Sequence, residues 1–315
     1  MARYVLLLLL VLGANASAQE YPAREIRSIC NFAAGSGADI IVRYYSDRLS
    51  KLAGKPVVVE NKPGAQGLLA TDYVAKSKPD GYTILITPAS STLATAPHLF
   101  KTIPFDPLKD FAPVTTITSL AFVIAVDAAK PYRTLDEFVK ALRAKPGNGF
   151  YGTQSNTGQV SAELLKETLG LKTEYVPFKI TGEAFTSLLA GNIDFMSVDA
   201  TWAVTQPQKV RILAVTSAKR SGSLPDVPTL AELGLKEFDI APWFGVVVPA
   251  GTPRPIVERL AGWFNQITNS EDTRQFLARS ALDAFPGSPD SMAALLRSDL
   301  ERWGGYVRLA KIEKQ

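Results

Sequence analysis

Residues 29–39 read ICNFAAGSGAD, and the way this stretch divides decides the fold. Residues 27–32 have strand character, residues 33–37 form a loop with almost no side chains, and residues 38–52 carry helical spacing. That helix places Ile41, Tyr44, Tyr45, Arg48, Leu49 and Leu52 at core-facing intervals and stops at Gly54. Tyr44 and Tyr45 therefore read as core or rim. Asp39 falls in the first turn, where a carboxylate suits the positive end of the helix dipole. Glycine and alanine ahead of a helix N-terminus let a ligand reach bare backbone N–H groups, which favours an anion. A tight strand-to-helix turn needs the same small residues, so this stretch alone leaves both readings open.

Working outward, residues 149–160, GFYGTQSNTGQV, repeat the plan of strand, polar or glycine-rich loop, then helix. Two such loops in separate α/β units can face each other across a cleft and hold one small anion. Around the first unit, a strand at 56–60 leads through the turn NKPGAQG (61–67) to a helix ending near residue 77. Pro79-Asp80-Gly81 then turns into a strand at 82–87 and the loop PASST at 88–92. Ligands of open parallel sheets bind at the carboxyl ends of strands, which places loops 33–37, 61–67 and 88–92 on one edge. Four prolines in residues 96–114 exclude continuous helix or central strand and predict an extended surface connection.

Strands at 114–117 and 122–126 follow, with a first passage into a second domain between them. There the alternation repeats. Thr134 and Glu137 make a capping box for a helix to about residue 144. Strand 149–152, helix 159–169, strand 172–177, loop 178–182, helix 183–190, strand 193–198, loop 199–202 and strand 211–215 come next. Regular alternation predicts parallel sheets with helices on both faces. Strand 244–248 is the return passage, and helices near 254–268, 271–279 and 289–309 are expected to pack on the first domain. Ser288 caps the last of these and Pro289 opens it. The expected division is residues 19–121 with 244–315 as domain one and 122–243 as domain two. Two α/β lobes joined by two crossings make a hinged clamshell.

Residues 1–18 carry one positive charge (Arg3), an apolar run from Val5 to Leu12 and a small-residue end, Ala16-Ser17-Ala18. That is the pattern of a secretory signal peptide, too short for a spanning helix. Cleavage after Ala18 leaves Gln19 first, and the leader has no cysteine to carry a lipid anchor. About 300 residues remain, enough for two domains of ordinary size. Hydrophobic residues at 46% and charged residues at 20% are the balance of a globular chain. A net charge of +4, without a dense Lys/Arg stripe, excludes a nucleic-acid interface. Cys30 is the single cysteine, so no internal disulfide forms. It reads as a small buried side chain.

Reactive groups are scarce. His98 is the single histidine, so neither a His-containing metal cluster nor a Ser-His-Asp triad built elsewhere is available. There is no G-x-S-x-G elbow, no phosphate loop and no EF-hand spacing. The Gly35, Gly37 pair lacks the third glycine of a dinucleotide fingerprint, with Ile40 in its place. No cofactor and no catalytic residue is expected, and binding is favoured over catalysis.

The chain resembles the periplasmic substrate-binding receptors of the tripartite tricarboxylate transporter type, often called Bug receptors. The segments that carry the resemblance are residues 21–39, 55–67 (KPVVVENKPGAQG), 79–87 (PDGYTILIT), 105–113 (FDPLKDFAP), 176–181 (VPFKIT), 212–231 (ILAVTSAKRSGSLPDVPTLA) and 243–253 (WFGVVVPAGTP), in shared order and spacing over nearly the whole mature chain. The resemblance implies a type II periplasmic-binding-protein fold, two doubly wound α/β lobes joined by two crossing strands, with a carboxylate in the cleft. It implies that Phe32, Ala33, Gly35, Ser36 and Gly37, with Asp39 capping, hold one carboxylate, partly through bridging water. Gln66 lies in the second loop, Ser90, Ser91 and Thr92 match a polar third loop, and Thr153, Gln154, Ser155 and Asn156 match the domain-two loop.

Asp199 matches an acidic position after a strand. It accepts from a ligand amine or hydroxyl, or it caps the following turn. Lys179 pairs with a second carboxylate or is solvated; Trp202 stacks on an apolar part of the ligand or packs in the core. The sequence departs from the family pattern in the first loop, which lacks the usual prolines and adjacent glycines. The domain-two loop is shorter, Gln159 stands where histidine is common, and the region after Asp199 is shortened. The implied function is an exported, periplasmic and monomeric receptor for a dicarboxylate, tricarboxylate, amino acid or aromatic acid, delivered to a membrane permease. The alternative is a periplasmic sensor presenting the same ligand-bound shape to a signalling partner.

Overall fold

The computed structural model describes residues 21–315; the expected leader at residues 1–18 lies outside them. In chain order the first lobe opens with β1 (Ile26–Cys30), α1 (Gly37–Ala53), β2 (Val57–Asn61), α2 (Leu68–Ala75) and β3 (Thr83–Pro88). A π-helical turn at Ser90–Thr95 runs into the short α3 (Ala96–Leu99), and β4 (Phe111–Leu120) completes the first pass. The second lobe contains β5 (Phe122–Asp127), α4 (Leu135–Ala144), β6 (Gly149–Thr153), α5 (Asn156–Leu169), β7 (Thr173–Pro177), α6 (Thr181–Leu189), β8 (Phe195–Asp199), α7 (Ala200–Ala203) and β9 (Val210–Val215). The chain returns through β10 (Trp243–Pro249) and ends with α8 (Arg254–Asn269), α9 (Glu271–Arg279), β11 (Leu282–Ala284) and α10 (Pro289–Leu309).

The strands form a six-stranded sheet in the order β11-β4-β10-β3-β1-β2 and a five-stranded sheet in the order β7-β6-β8-β5-β9. Each contains a parallel trio, β2-β1-β3 in one and β7-β6-β8 in the other. Both sheets are mixed where all-parallel pairing was expected. The cause is the pair of crossings. β5 and β10 enter from the opposite lobe, so each runs antiparallel to both of its neighbours. One residue, Ala121, separates β4 in the first sheet from β5 in the second. The two sheets thus share one plan, in which a strand delivered by a crossing is inserted beside the parallel trio.

The apolar runs occupy central strands, as buried parallel and crossing strands require. Every residue of β10 is buried, and five of six in β3 and in β5. α1 stops at Gly54 and α5 at Gly170, both left-handed. Ser288 and Ser291 form a capping box on α10, with Pro289 in its first turn. At α4, Thr134 accepts from Glu137 N at 3.2 Å, while the Glu137 carboxylate takes the N–H of Arg133 instead of closing the box on Thr134.

Three local expectations need correction. Residues 96–114 are not one extended connection: α3 begins the segment and β4 already runs through Pro113. Pro113 is tolerated because only β10 pairs with it there, β11 reaching no further than Thr118–Leu120. The loop at 88–92 is largely the π-helical turn, and the loop at 199–202 contains α7. Finally, α10 does not pack on the first lobe alone. It lies against β4 and the π-helical turn in that lobe and against α5 in the other, and Lys311 beyond its end pairs with Glu167 of α5 at 2.5 Å. Its buried Trp303, Leu296 and Met292 belong to a core cluster that also contains Val160 and Leu164 of α5.

Candidate binding site between the lobes

Register places the carboxyl ends of the parallel strands beside the crossings. Pro88 at the end of β3 lies opposite Phe244 of β10, and Asp199 at the end of β8 lies opposite Phe122 of β5. The loops that leave β1, β3, β6 and β8 therefore gather at the hinge edge of both sheets.

In the first loop Ser36 caps α1 by accepting from Asp39 N at 3.2 Å. Gly37 and Ala38, the first two helical residues, have N–H groups without an intrahelical acceptor. No heavy atom lies within 4 Å of where a Gly37 side chain would begin. Ala33, Ala34, Gly35 and Gly37 are exposed, and Phe32 and Ser36 half-buried. Asp39 is different. It is 2% exposed, and its carboxylate accepts from Gly35 N at 2.8 Å, Asn61 Nδ2 at 2.7 Å and Arg43 Nε at 2.9 Å. Burial alone would raise its pKa, but the bonds from Arg43, Asn61 and Gly35 outweigh that and hold it below the usual carboxylate range. Its oxygens are taken up inside the loop, so Asp39 braces the amides and Ser36 is the cap.

The second loop meets the first at Gly67. Gly64, Ala65, Gln66 and Gly67 are four successive residues with positive φ, and Gln66 itself is exposed at φ 51°. Gly67 sits at φ 94°, and a Cβ there would lie 2.5 Å from Asn31 Nδ2, so only glycine fits. Asn31 was not singled out from sequence, yet it links the loops: its Nδ2 donates to Thr92 Oγ1 at 3.0 Å, which Thr87 Oγ1 also contacts at 3.1 Å. In the π-helical turn Ser90 is fully buried, accepting from Trp243 N at 2.9 Å through its hydroxyl, while its carbonyl takes the Thr95 hydroxyl at 2.6 Å. Ser90 and Thr92 are thus internal ties, and Ser91 is half-buried beside them.

In the second lobe Ser155 caps α5 by accepting from Gly158 N at 3.1 Å, and Thr153 Oγ1 accepts from Ser155 N at 3.3 Å. The helix start is pressed onto its sheet: a Cβ on Gly158 would lie 2.5 Å from Ser197 O. Gln154 is half-buried, and Asn156 is 2% exposed with both amide atoms unpartnered. Thr157, Ser161 and Ser197 add three more buried hydroxyls without partners. Sequence reading passed over these three, although Thr157 and Ser161 stand four residues apart on one helix face.

Asp199 caps α7, accepting from Trp202 N at 3.0 Å. The residue is half-buried, and that partial burial pushes its pKa up against the bond from Trp202. Trp202 packs edge-on against Phe185, ring centroids 4.6 Å apart, within the second lobe. Lys179 is exposed and has no ion-pair partner among the described residues.

Of the reactive side chains, His98 lies outside this constellation and Cys30 lies beneath the first loop, its thiol donating to Phe32 O at 3.7 Å. His98 Nε2 is 2.8 Å from Leu300 O, and Cys30 is buried, which pushes its thiol up to about 11. Among the described residues no cluster of three His, Cys, Asp or Glu is placed to hold a metal, and no helix is long and apolar enough to cross a membrane. Surface hollows of about 360 and 370 Å³ lie elsewhere, one around His98 and Arg308, the other around Arg143 and Asn148. Their linings contain none of the strand-end loops, so they do not bear on this edge.

Two mixed α/β sheets of matching plan, joined by two crossings with polar loops gathered at the join, define a type II periplasmic binding protein. The profile of the tripartite tricarboxylate transporter family receptor matches residues 41–311, and the chain belongs to that family. Protein BugT of Bordetella pertussis is 33% identical over 303 residues, covering 94% of this chain and 92% of its own. Among solved structures, an R. palustris protein with adipate is 30% identical at a TM-score of 0.87, covering 94% of this chain and 100% of that one. MatC from Rhodopseudomonas palustris with bound malate is 29% identical at a TM-score of 0.81, covering 91% and 100%.

Proposed function

We propose that this protein is an exported receptor that captures a small organic carboxylate between its lobes and delivers it to a membrane permease of the tripartite tricarboxylate type. The observation that carries this reading is the pair of helix starts, one from each lobe, that follow strand ends beside the crossings. The Gly37 and Ala38 amides on α1 and the unpartnered Asn156 amide on α5 stand at the same hinge edge. Helix N-termini favour a negative head group, and the hydrogen bonds they make to it are charge-assisted. The amides of Gly37 and Ala38, the Ser36 hydroxyl and the backbone of 33–34 contact the carboxylate; Asp39, which holds the Gly35 amide, keeps those contacts in place with Ser90 and Thr92. Thr153–Asn156 close on it from the second lobe. The complexes of relatives with adipate and malate agree in ligand class. No bond is made or broken, and the leader at residues 1–18 directs the chain to the periplasm.

A thermal-shift screen of dicarboxylates, tricarboxylates, amino acids and aromatic acids tests the reading, since a ligand that binds only the folded state raises Tm. The bound acid, recovered and identified after incubation, should be unchanged. Absence of any shift across the panel, or recovery of a converted product, would refute it. Replacing Gly37 by valine should abolish the shift while leaving the unliganded Tm near that of the parent, because there is open space at that position.

A further inference from the structure

Nine buried side-chain polar atoms among the described residues lack a hydrogen-bond partner, and five of them belong to Asn156, Thr157, Ser161 and Ser197. Buried polar groups are nearly always paired, so a concentration of this kind at one helix start marks where a polar occupant or ordered water belongs. The three hydroxyls rotate and serve either as donor or as acceptor. Asn156 does not. Its planar amide fixes one donor beside one acceptor, and because both atoms are free the conclusion holds whichever way the amide is turned.

Resting on the carboxylate-receptor reading above, we infer that Asn156 makes this protein select acids bearing a hydroxyl or ammonium group on the carbon next to the carboxylate, over the same acids without it. A carboxylate only accepts hydrogen bonds. It satisfies Nδ2 of Asn156 and leaves Oδ1 facing lone pairs. An adjacent hydroxyl or ammonium supplies the missing donor, and the two neighbouring groups match the two neighbouring amide atoms. The start of α5 is seated on Ser197 O, and Asp199 two residues further along β8 adds another acceptor at that strand end, with one oxygen capping α7. A site built to pair with a ligand hydroxyl or amine rejects the analogue that lacks it, because its own polar group is then left buried and unpaired.

Calorimetric titration of matched sets tests this: propionate, lactate and alanine; succinate, malate and aspartate; phenylacetate, mandelate and phenylglycine. In whichever set binds, the substituted acid should bind at least tenfold tighter than the unsubstituted one. Asn156→Ala should reduce that ratio to about threefold or less, with thermal unfolding confirming that the variant is folded. An unsubstituted acid binding within twofold of its substituted partners, in the parent protein and without any variant, would overturn the inference while leaving carboxylate capture standing. A ratio unchanged in Asn156→Ala would also overturn it. Failure of every acid in these sets and in the wider screen would instead remove the carboxylate reading on which it rests.

Discussion

Asp39→Asn is a severe test of how the first loop is held, because it changes one atom and almost no volume. Oδ2 of Asp39 accepts from Gly35 N and Arg43 Nε, and Oδ1 accepts from Asn61 Nδ2. An asparagine must place its NH2 against one of these donors. Rotating Asn61 to compensate fails, since its Nδ2 also serves Phe32 O and its Oδ1 receives Arg43. A buried donor left unpaired costs about 1–3 kcal/mol. The lost attraction to Arg43 adds well under about 1 kcal/mol, because that side chain is 51% exposed. A net loss of about 2–3 kcal/mol corresponds to a Tm lower by about 3–5 °C for a chain of this size.

The pH dependence has a definite sign. The folded carboxyl lies below its ordinary value, so the stability it contributes is present above about pH 4 and lost as pH falls through the folded pKa. Scanning calorimetry of parent and variant at neutral and acidic pH should show the gap closing in acid. The same variant should bind its acid more weakly, since the Gly35 amide loses its anchor. An unchanged Tm at neutral pH together with unchanged affinity would refute the bracing role.

Gly67→Ala should lose about 2 kcal/mol, read as a lower urea midpoint at unchanged slope, from its positive φ and the collision with Asn31. Affinity should fall with it, because Asn31 ties the first loop to Thr92. Trp202→Ala should cost about 2 kcal/mol in the same assay, half the usual loss for a fully buried tryptophan, and change ligand affinity less than twofold; a large loss of binding would return Trp202 to the ligand. Asp199→Asn keeps an oxygen to cap α7 and removes a carboxylate whose pKa burial raises. Stability from such a group is present below its unfolded pKa and lost as pH rises through the folded one. The variant should therefore melt higher than the parent near pH 8 and together with it near about pH 3.

Local signals in the sequence were strong where one residue governs one element. Gly54, Gly170, Ser288 and Pro289 mark helix ends because backbone geometry and orphan amides act over a few residues. The α/β alternation and the two crossings follow from the apolar runs 122–126 and 244–248. Strand direction was not legible, since whether a strand runs with or against its neighbour depends on which lobe the chain arrives from. Pro113 misled for a related reason: an edge exists there only because β11 is short. In the site, the open character of Gly35–Gly37 is visible in residue type. The inward turn of Asp39 is not, because it depends on Asn61, twenty-two positions later. The π-helical turn leaves no periodicity to read, and Asn156 shows its lack of partners only once α5 is seated on β8.

The position of α10 bears on how fast the protein lets go of what it holds. Arg302 and Tyr306 of this helix reach Asp239, just ahead of the second crossing, while Trp243 on that crossing donates to Asp299. Lys311 clasps Glu167 far from the strand-end loops. α10 is thus fastened to the second crossing and its neighbouring segment, and the Lys311–Glu167 pair ties α5 of the second lobe to the same helix, so any parting of the lobes must carry or break that pair. Lys311 is 76% exposed, so the pair contributes no more than about 1 kcal/mol, and Lys311→Ala should quicken ligand dissociation about fivefold at most, read by stopped-flow fluorescence.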